Sequence, residues 1–154
     1  MKDYILGVDL GGTNIKAAAY RLGSYEKVGE KRLPTQVEGG WEHVLGRVLA
    51  ALEELLRQTP RERVLCVGMG VPGLLDIEAG VSRFSPNFPQ WEDVPVAAWL
   101  EERLLGPARR VVESHALAIS RAGCEIVTAQ LGDAAGMLGA AVYGARRMGE
   151  GARM

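Results

Sequence analysis

The run Asp9-Leu10-Gly11-Gly12-Thr13-Asn14-Ile15-Lys16 sets a carboxylate at the end of an apolar stretch. Two glycines follow in a turn, then a hydroxyl, an amide and an ammonium. This is the equipment for an anion and its metal. Glycines let backbone N–H groups approach a phosphate closely, Thr13 and Asn14 add donors, and Lys16 adds charge; Asp9 can hold a hydrated Mg²⁺. A Gly-Gly β-hairpin requires the same glycines for turn geometry alone, so the loop by itself is not decisive. It joins two strand-like segments, which excludes the strand-to-helix loop of a Rossmann or Walker A site.

A second group begins at Gly70-Val71-Pro72-Gly73 and continues through Asp76, Gly80, Pro86-Asn87 and Trp91. An Asn amide pairs with vicinal hydroxyls, an indole lines a sugar face, and Gly73 leaves its main-chain groups reachable. Each residue also has a plainer reading: Pro-Gly as a turn, Asn87 as a turn former, Trp91 as core. Their combination is more specific than any member.

The elements that must position these residues follow from periodicity. Tyr4 to Leu10, Thr13 to Leu22 and Tyr25 to Leu33 are strand-like and separated by Gly-Gly and Gly-Ser, the pattern of a three-stranded meander. Apolar residues at Trp41, Val44, Leu45, Val48, Leu49, Leu52, Leu55 and Leu56 recur at helical spacing, and Pro60 ends that helix. Val64 to Val71 is a continuous apolar run, as expected of a strand covered on both faces. A loop-rich stretch containing Pro86, Pro89 and Pro95 leads to a short helix at about Val96 to Leu105. Further on, Ala108 to Ala122 can be helical, Cys124 to Ala129 is a strand candidate, and a last helix spans Asp133 to about Met148. In it Gly132, Gly136, Ala140 and Gly144 form a small-residue stripe that lets a helix lie close to a neighbouring backbone.

The chain has 154 residues, enough for one well-buried domain. Hydrophobic residues make up 47% and charged residues 24%, the balance of an ordinary globular protein. A net charge of −1, with both signs interspersed, argues against nucleic acid or an anionic membrane as partner. MKDYILGVDLGG lacks the features of a signal peptide, and no apolar stretch reaches the ~20 residues of a membrane span, so a cytoplasmic location is expected. Cys66 and Cys124 lie in strand-like runs, where buried thiols are expected; their spacing suggests no zinc site.

The two motifs resemble those of the ROK family of repressors and sugar kinases. Asp9 to Lys16 matches the family's Asp-x-Gly-Gly-Thr with a Lys three residues on, and Gly70 to Trp91 matches its Gly-x-Pro-Gly followed by Asn and Trp. The resemblance implies an α/β fold, the ribonuclease H-like lobe of the actin, Hsp70 and hexokinase superfamily. Its βββαβα order is also the order read from periodicity. It implies glucokinase-like, ATP-dependent phosphorylation of a sugar with Mg-ATP as cofactor. Asp9, Gly11, Gly12, Thr13, Asn14 and Lys16 would serve phosphate and, through water, Mg²⁺; Pro72, Gly73, Asn87 and Trp91 would serve the sugar.

The middle of the chain departs from the family. The family's Val-Glu-Asn-Asp-Ala-Asn segment carries the Asp that takes the sugar's proton, and neither it nor the later zinc motif occurs here. The closest string, Val112-Glu113-Ser114-His115-Ala116-Leu117, would set His115 in place of that Asp. The preferred reading joins an N-terminal lobe (1–106) to a returning C-terminal segment (107–154), with the junction near Gly106-Pro107 and most of a lobe deleted. His115 is then a surface or helix-end residue rather than a base. Expected partners are a sugar or phosphate, and a homodimer that rebuilds a cleft is the alternative. No room for a helix-turn-helix precedes the Asp9 loop, which argues against a DNA-binding repressor.

Overall fold

A computed structural model describes residues 2–88, 90–104, 126–129, 137, 140–142 and 144–146. The expectations for 108–122, Cys124, His115, the junction at 106/107 and the rest of the last helix lie outside these residues.

The central sheet has five strands. Strands β1 (Tyr4–Leu10), β2 (Asn14–Arg21) and β3 (Lys27–Pro34) form an antiparallel meander. Helix α1 (Gly40–Leu56) follows, then β4 (Val64–Gly70), which pairs parallel to β1. The order across the sheet is β3-β2-β1-β4-β8, where β8 is Ile126–Ala129, parallel to β4. Between β4 and β8 the chain forms a separate antiparallel sheet of β5 (Leu74–Asp76), β6 (Val81–Phe84) and β7 (Glu92–Val94), followed by helix α2 over 96–104. The loop-rich reading of 73–95 is therefore corrected. Strands of three or four residues carry too few positions for a period of two to register.

Two-residue alternation sorts β1 between two layers. Leu6, Val8 and Leu10 face one side and join Val44, Leu45, Val48, Ala51, Leu52 and Leu55 of α1 in the main core. Each fully buried Val or Leu contributes about 1.5–3 kcal/mol, whereas an exposed ion pair such as Arg63–Asp3 contributes about 0–1 kcal/mol. The apolar stripe therefore holds α1 in place. Thr59 closes the helix by donating its hydroxyl to the Leu55 carbonyl at 2.9 Å.

On the other face, Ile5, Ala18, Tyr20 and Cys66 cluster with Ala141. Residues 137, 140–142 and 144–146 are helical and are termed α3. A Cβ on Gly7 would stand 1.9 Å from the Met137 carbonyl oxygen, and one on Gly68 would stand 1.9 Å from that of Ala140. Gly144 in turn lies over Gly68 and Cys66. Backbone therefore meets backbone, which is the role expected of the small-residue stripe at Ala140 and Gly144.

Candidate functional site

Asp9 is the penultimate residue of β1, level with Lys16 on β2 and Gly70 on β4. This register brings the Lys16 ammonium to 3.8 Å from Asp9 Oδ2, with the side chains 34% and 18% exposed. A charge pair at one end of the sheet thus stays open to solvent. The turn between the strands leaves Gly12 and Thr13 exposed. Their N–H groups enter no backbone hydrogen bond among the described residues. Unspent donors beside an ammonium and a carboxylate suit a polyphosphate with a hydrated cation.

The turn is held from outside. Thr35, fully buried just after β3, donates its hydroxyl to the Gly11 carbonyl at 2.6 Å and its N–H to the Thr13 carbonyl at 2.9 Å. Gly11 N–H bonds to the Asn14 carbonyl at 3.0 Å. Arg47 of α1 fixes the neighbouring residue by donating Nε–H to the Pro34 carbonyl at 2.6 Å. Thr35 was not among the sequence candidates, because nothing in Leu33-Pro34-Thr35 separates a buried anchor from an ordinary strand end.

The second group of candidates comes to the same place. A Cβ on Gly12 would lie 3.5 Å from the Cβ of Asn87, an ordinary contact distance, so the two loops stand against each other. Gly73 has φ +109°, and any Cβ there would fall 2.2 Å from the Phe84 carbonyl oxygen, so only glycine fits. Gly73 and Asn87 are exposed and Pro72 is half-buried.

Trp91 requires a correction. It is 2% exposed, packs on Phe88 with ring centroids 4.6 Å apart, and belongs to the main core, so it presents no ring face to a sugar. Its indole N–H is buried and has no hydrogen-bond partner among the described residues.

Asp76 acts as a staple rather than a ligand. Its Oδ1 accepts from Ala79 N–H at 3.0 Å and its Oδ2 from Arg83 at 2.7 Å, while Arg83 also reaches Asp93 at 2.8 Å. The Ala79 N–H, then the Arg83 guanidinium, hold the Asp76 carboxyl below its ordinary range. Gly80, at φ +65°, accepts at its carbonyl from Ala97 N–H at 3.0 Å and so fastens the small sheet to α2.

A sequence profile of the ROK family matches residues 5–121. The chain belongs to the ROK family. A glucokinase from Thermotoga maritima is 39% identical over 103 residues, covering 64% of this chain and 30% of the relative. A xylose repressor from Caldicellulosiruptor bescii is 25% identical over 117 residues, 75% of this chain and 29% of the relative. The crystal structure of the ROK hexokinase from Thermus thermophilus superposes with a TM-score of 0.57 at 35% identity, over 66% of this chain and 32% of that one. The chain thus spans about a third of the length of these ROK proteins, and its fold is that of the ribonuclease H-like lobe of ROK and actin-like sugar kinases.

The match extends past Gly106-Pro107 to residue 121 and so takes in Val112 to Leu117.

Proposed function

We propose that this chain is the phosphate- and sugar-contacting lobe of a ROK sugar kinase, able to bind its ligands weakly in the cytoplasm but not to transfer a phosphoryl group. The observation that supports the reading is the closeness of the Gly12 turn to Asn87, where a Cβ on Gly12 would lie 3.5 Å from the Asn87 Cβ; it would bring an anion-binding loop beside a hydroxyl-binding one. Gly12, Thr13, Asn14 and Lys16 would take phosphate oxygens, while Gly11, whose N–H is bonded to the Asn14 carbonyl, would give the turn its shape. Asp9 would take Mg²⁺ through water. Among the described residues no cluster of three or more His, Cys, Asp or Glu could cage a metal. That donor set suits Mg²⁺, which keeps several waters and leans on one carboxylate plus the phosphates. Mg-ATP, when bound, supplies the phosphoryl group and the charge neutralisation of the reaction. Pro72, Gly73 and Asn87 would contact the sugar.

Phosphoryl transfer to a hydroxyl relies on positioning, on stabilised charge and on a base. The family's Val-Glu-Asn-Asp-Ala-Asn string does not occur in the sequence, so its carboxylate base is missing, a loss of ~10²- to 10⁴-fold. The glucokinase relative is about three times as long as the matched region, and positioning by surface outside that region would be worth up to ~7–11 kcal/mol. Isothermal titration with glucose and with Mg-ATP, alongside a coupled kinase assay, tests the reading. Weak binding without turnover is expected, and robust turnover by the purified chain overturns it.

A second reading is a homodimer that rebuilds a two-lobed cleft. Leu74 and Phe84, cross-strand partners on the small sheet, are 65% and 51% exposed, the kind of apolar surface partners cover. Light scattering that shows only monomer at high concentration excludes it.

A further inference from the structure

We propose that Thr35 is the positioning residue of the anion-binding turn: it sets the turn's shape from beneath without touching the ligand. The inference rests on the phosphate-loop reading above and adds a residue to it. If the Gly12 and Thr13 N–H groups are to serve an anion, the turn cannot spend those two on holding itself together. Gly12 and Thr13 make no backbone bond through their N–H groups among the described residues, yet the turn must keep its shape. The geometry gives that task to its carbonyls. Gly11 O accepts the Thr35 hydroxyl and Thr13 O accepts the Thr35 N–H, so one buried residue grips the turn on both sides of Gly12.

The grip is itself anchored. Pro34 lies opposite Asn14 in the β2–β3 register, and its carbonyl is held by Arg47 from α1. The turn is therefore referenced to the rigid helix layer, and the ordering entropy is met on folding rather than on binding. Pre-organisation of this kind shows in affinity rather than in new contacts.

Thr35→Val removes the hydroxyl, keeps the shape and retains the N–H bond to Thr13; Thr35→Ser restores the hydroxyl. Each full-length variant is titrated with sodium tripolyphosphate, well below its Tm, and its backbone amides are followed by NMR hydrogen exchange. Thr35→Val is expected to bind about 2- to 10-fold more weakly, the range of one net hydrogen bond. Its Gly11 amide, the turn N–H that is bonded, to the Asn14 carbonyl, should exchange faster, and Thr35→Ser should return both readouts towards wild type. A purely structural role would lower Tm while leaving the affinity of the folded protein unchanged, and that result overturns the proposal. Equal exchange rates in all three proteins also overturn it. Failure of the wild type to bind tripolyphosphate refutes the phosphate-loop reading instead, and the exchange rates still decide whether Thr35 shapes the turn.

Discussion

Replacing Gly68 by alanine tests the seating of α3 on the sheet. The added Cβ would lie 1.9 Å from the Ala140 carbonyl oxygen, 2.3 Å from its carbon and 2.9 Å from the Ala141 nitrogen. All three are backbone atoms, so no side chain can swing aside. Restoring an ordinary separation of about 3.4 Å requires α3 and β4 to part by roughly 1.5 Å, which unpacks Ala140, Ala141 and Gly144 from the small cluster around Cys66. Overpacking of this kind costs about 1–3 kcal/mol, and in a chain of this size each kcal/mol lowers Tm by roughly 2–4 °C. Gly46→Ala is the control, because a Cβ there meets nothing within 4 Å; it should stabilise α1 by about 0.5–1 kcal/mol. Undocking can be read directly in a Cys124→Ser background, where Cys66, fully buried under α3, is the remaining thiol. Gly68→Ala should speed its reaction with a thiol reagent. Gly7→Ala, which meets the Met137 carbonyl oxygen at 1.9 Å, is relieved by the same displacement, so the double variant should cost less than the sum. A Gly68→Ala protein with unchanged Tm and an unreactive Cys66 would refute the close approach of α3 to β4.

Other consequences are open to simple measurements. Lys16→Met, which removes the ammonium beside Asp9, should weaken tripolyphosphate binding by about tenfold or more, as expected for a hydrogen bond to a charged group; calorimetry at fixed salt reads it. Trp91→Ala should destabilise the fold by about 3–5 kcal/mol in urea unfolding, since the ring is core rather than ligand surface. The Asp76 carboxyl titrates below its ordinary range, so its stabilisation of the small sheet is fully present above that range. It is lost as pH falls through the lowered value. NMR of the Ala79 amide should follow that transition, and Asp76→Asn should abolish it.

The meander, α1 and β4 were legible because each carries enough apolar residues for its period to show. Strand ends moved by a few residues: β2 begins at Asn14 rather than Thr13, and β3 runs from Lys27 to Pro34 rather than from Tyr25 to Leu33. Tyr25, at φ +56°, belongs to the turn between them. The small sheet was not legible. It is specified by Gly73 and Gly80 at positive φ and by the Asp76–Arg83–Asp93 staple, contacts that join residues whose pairing no local pattern announces. Trp91 illustrates the same limit from the other side: an indole near an Asn and a Pro-Gly turn fits a sugar face or a core equally well in sequence. Only its packing on Phe88 separates the two.

The residues that touch a ligand and those that shape the site differ in how they show themselves. Asp9, Gly12 and Lys16 are visible by type, because a carboxylate, a bare backbone and an ammonium are chosen for chemistry and sit close together in the chain. Thr35 and Arg47 act over 24 and 13 residues of sequence through backbone carbonyls of the turn and its neighbouring strand, and any segment offers carbonyls. Their types therefore carry no signal of their own. The turn is held through the Gly11 and Thr13 carbonyls while the Gly12 and Thr13 N–H groups make no backbone bond among the described residues, a division that a β-hairpin formed for geometry alone has no need to maintain.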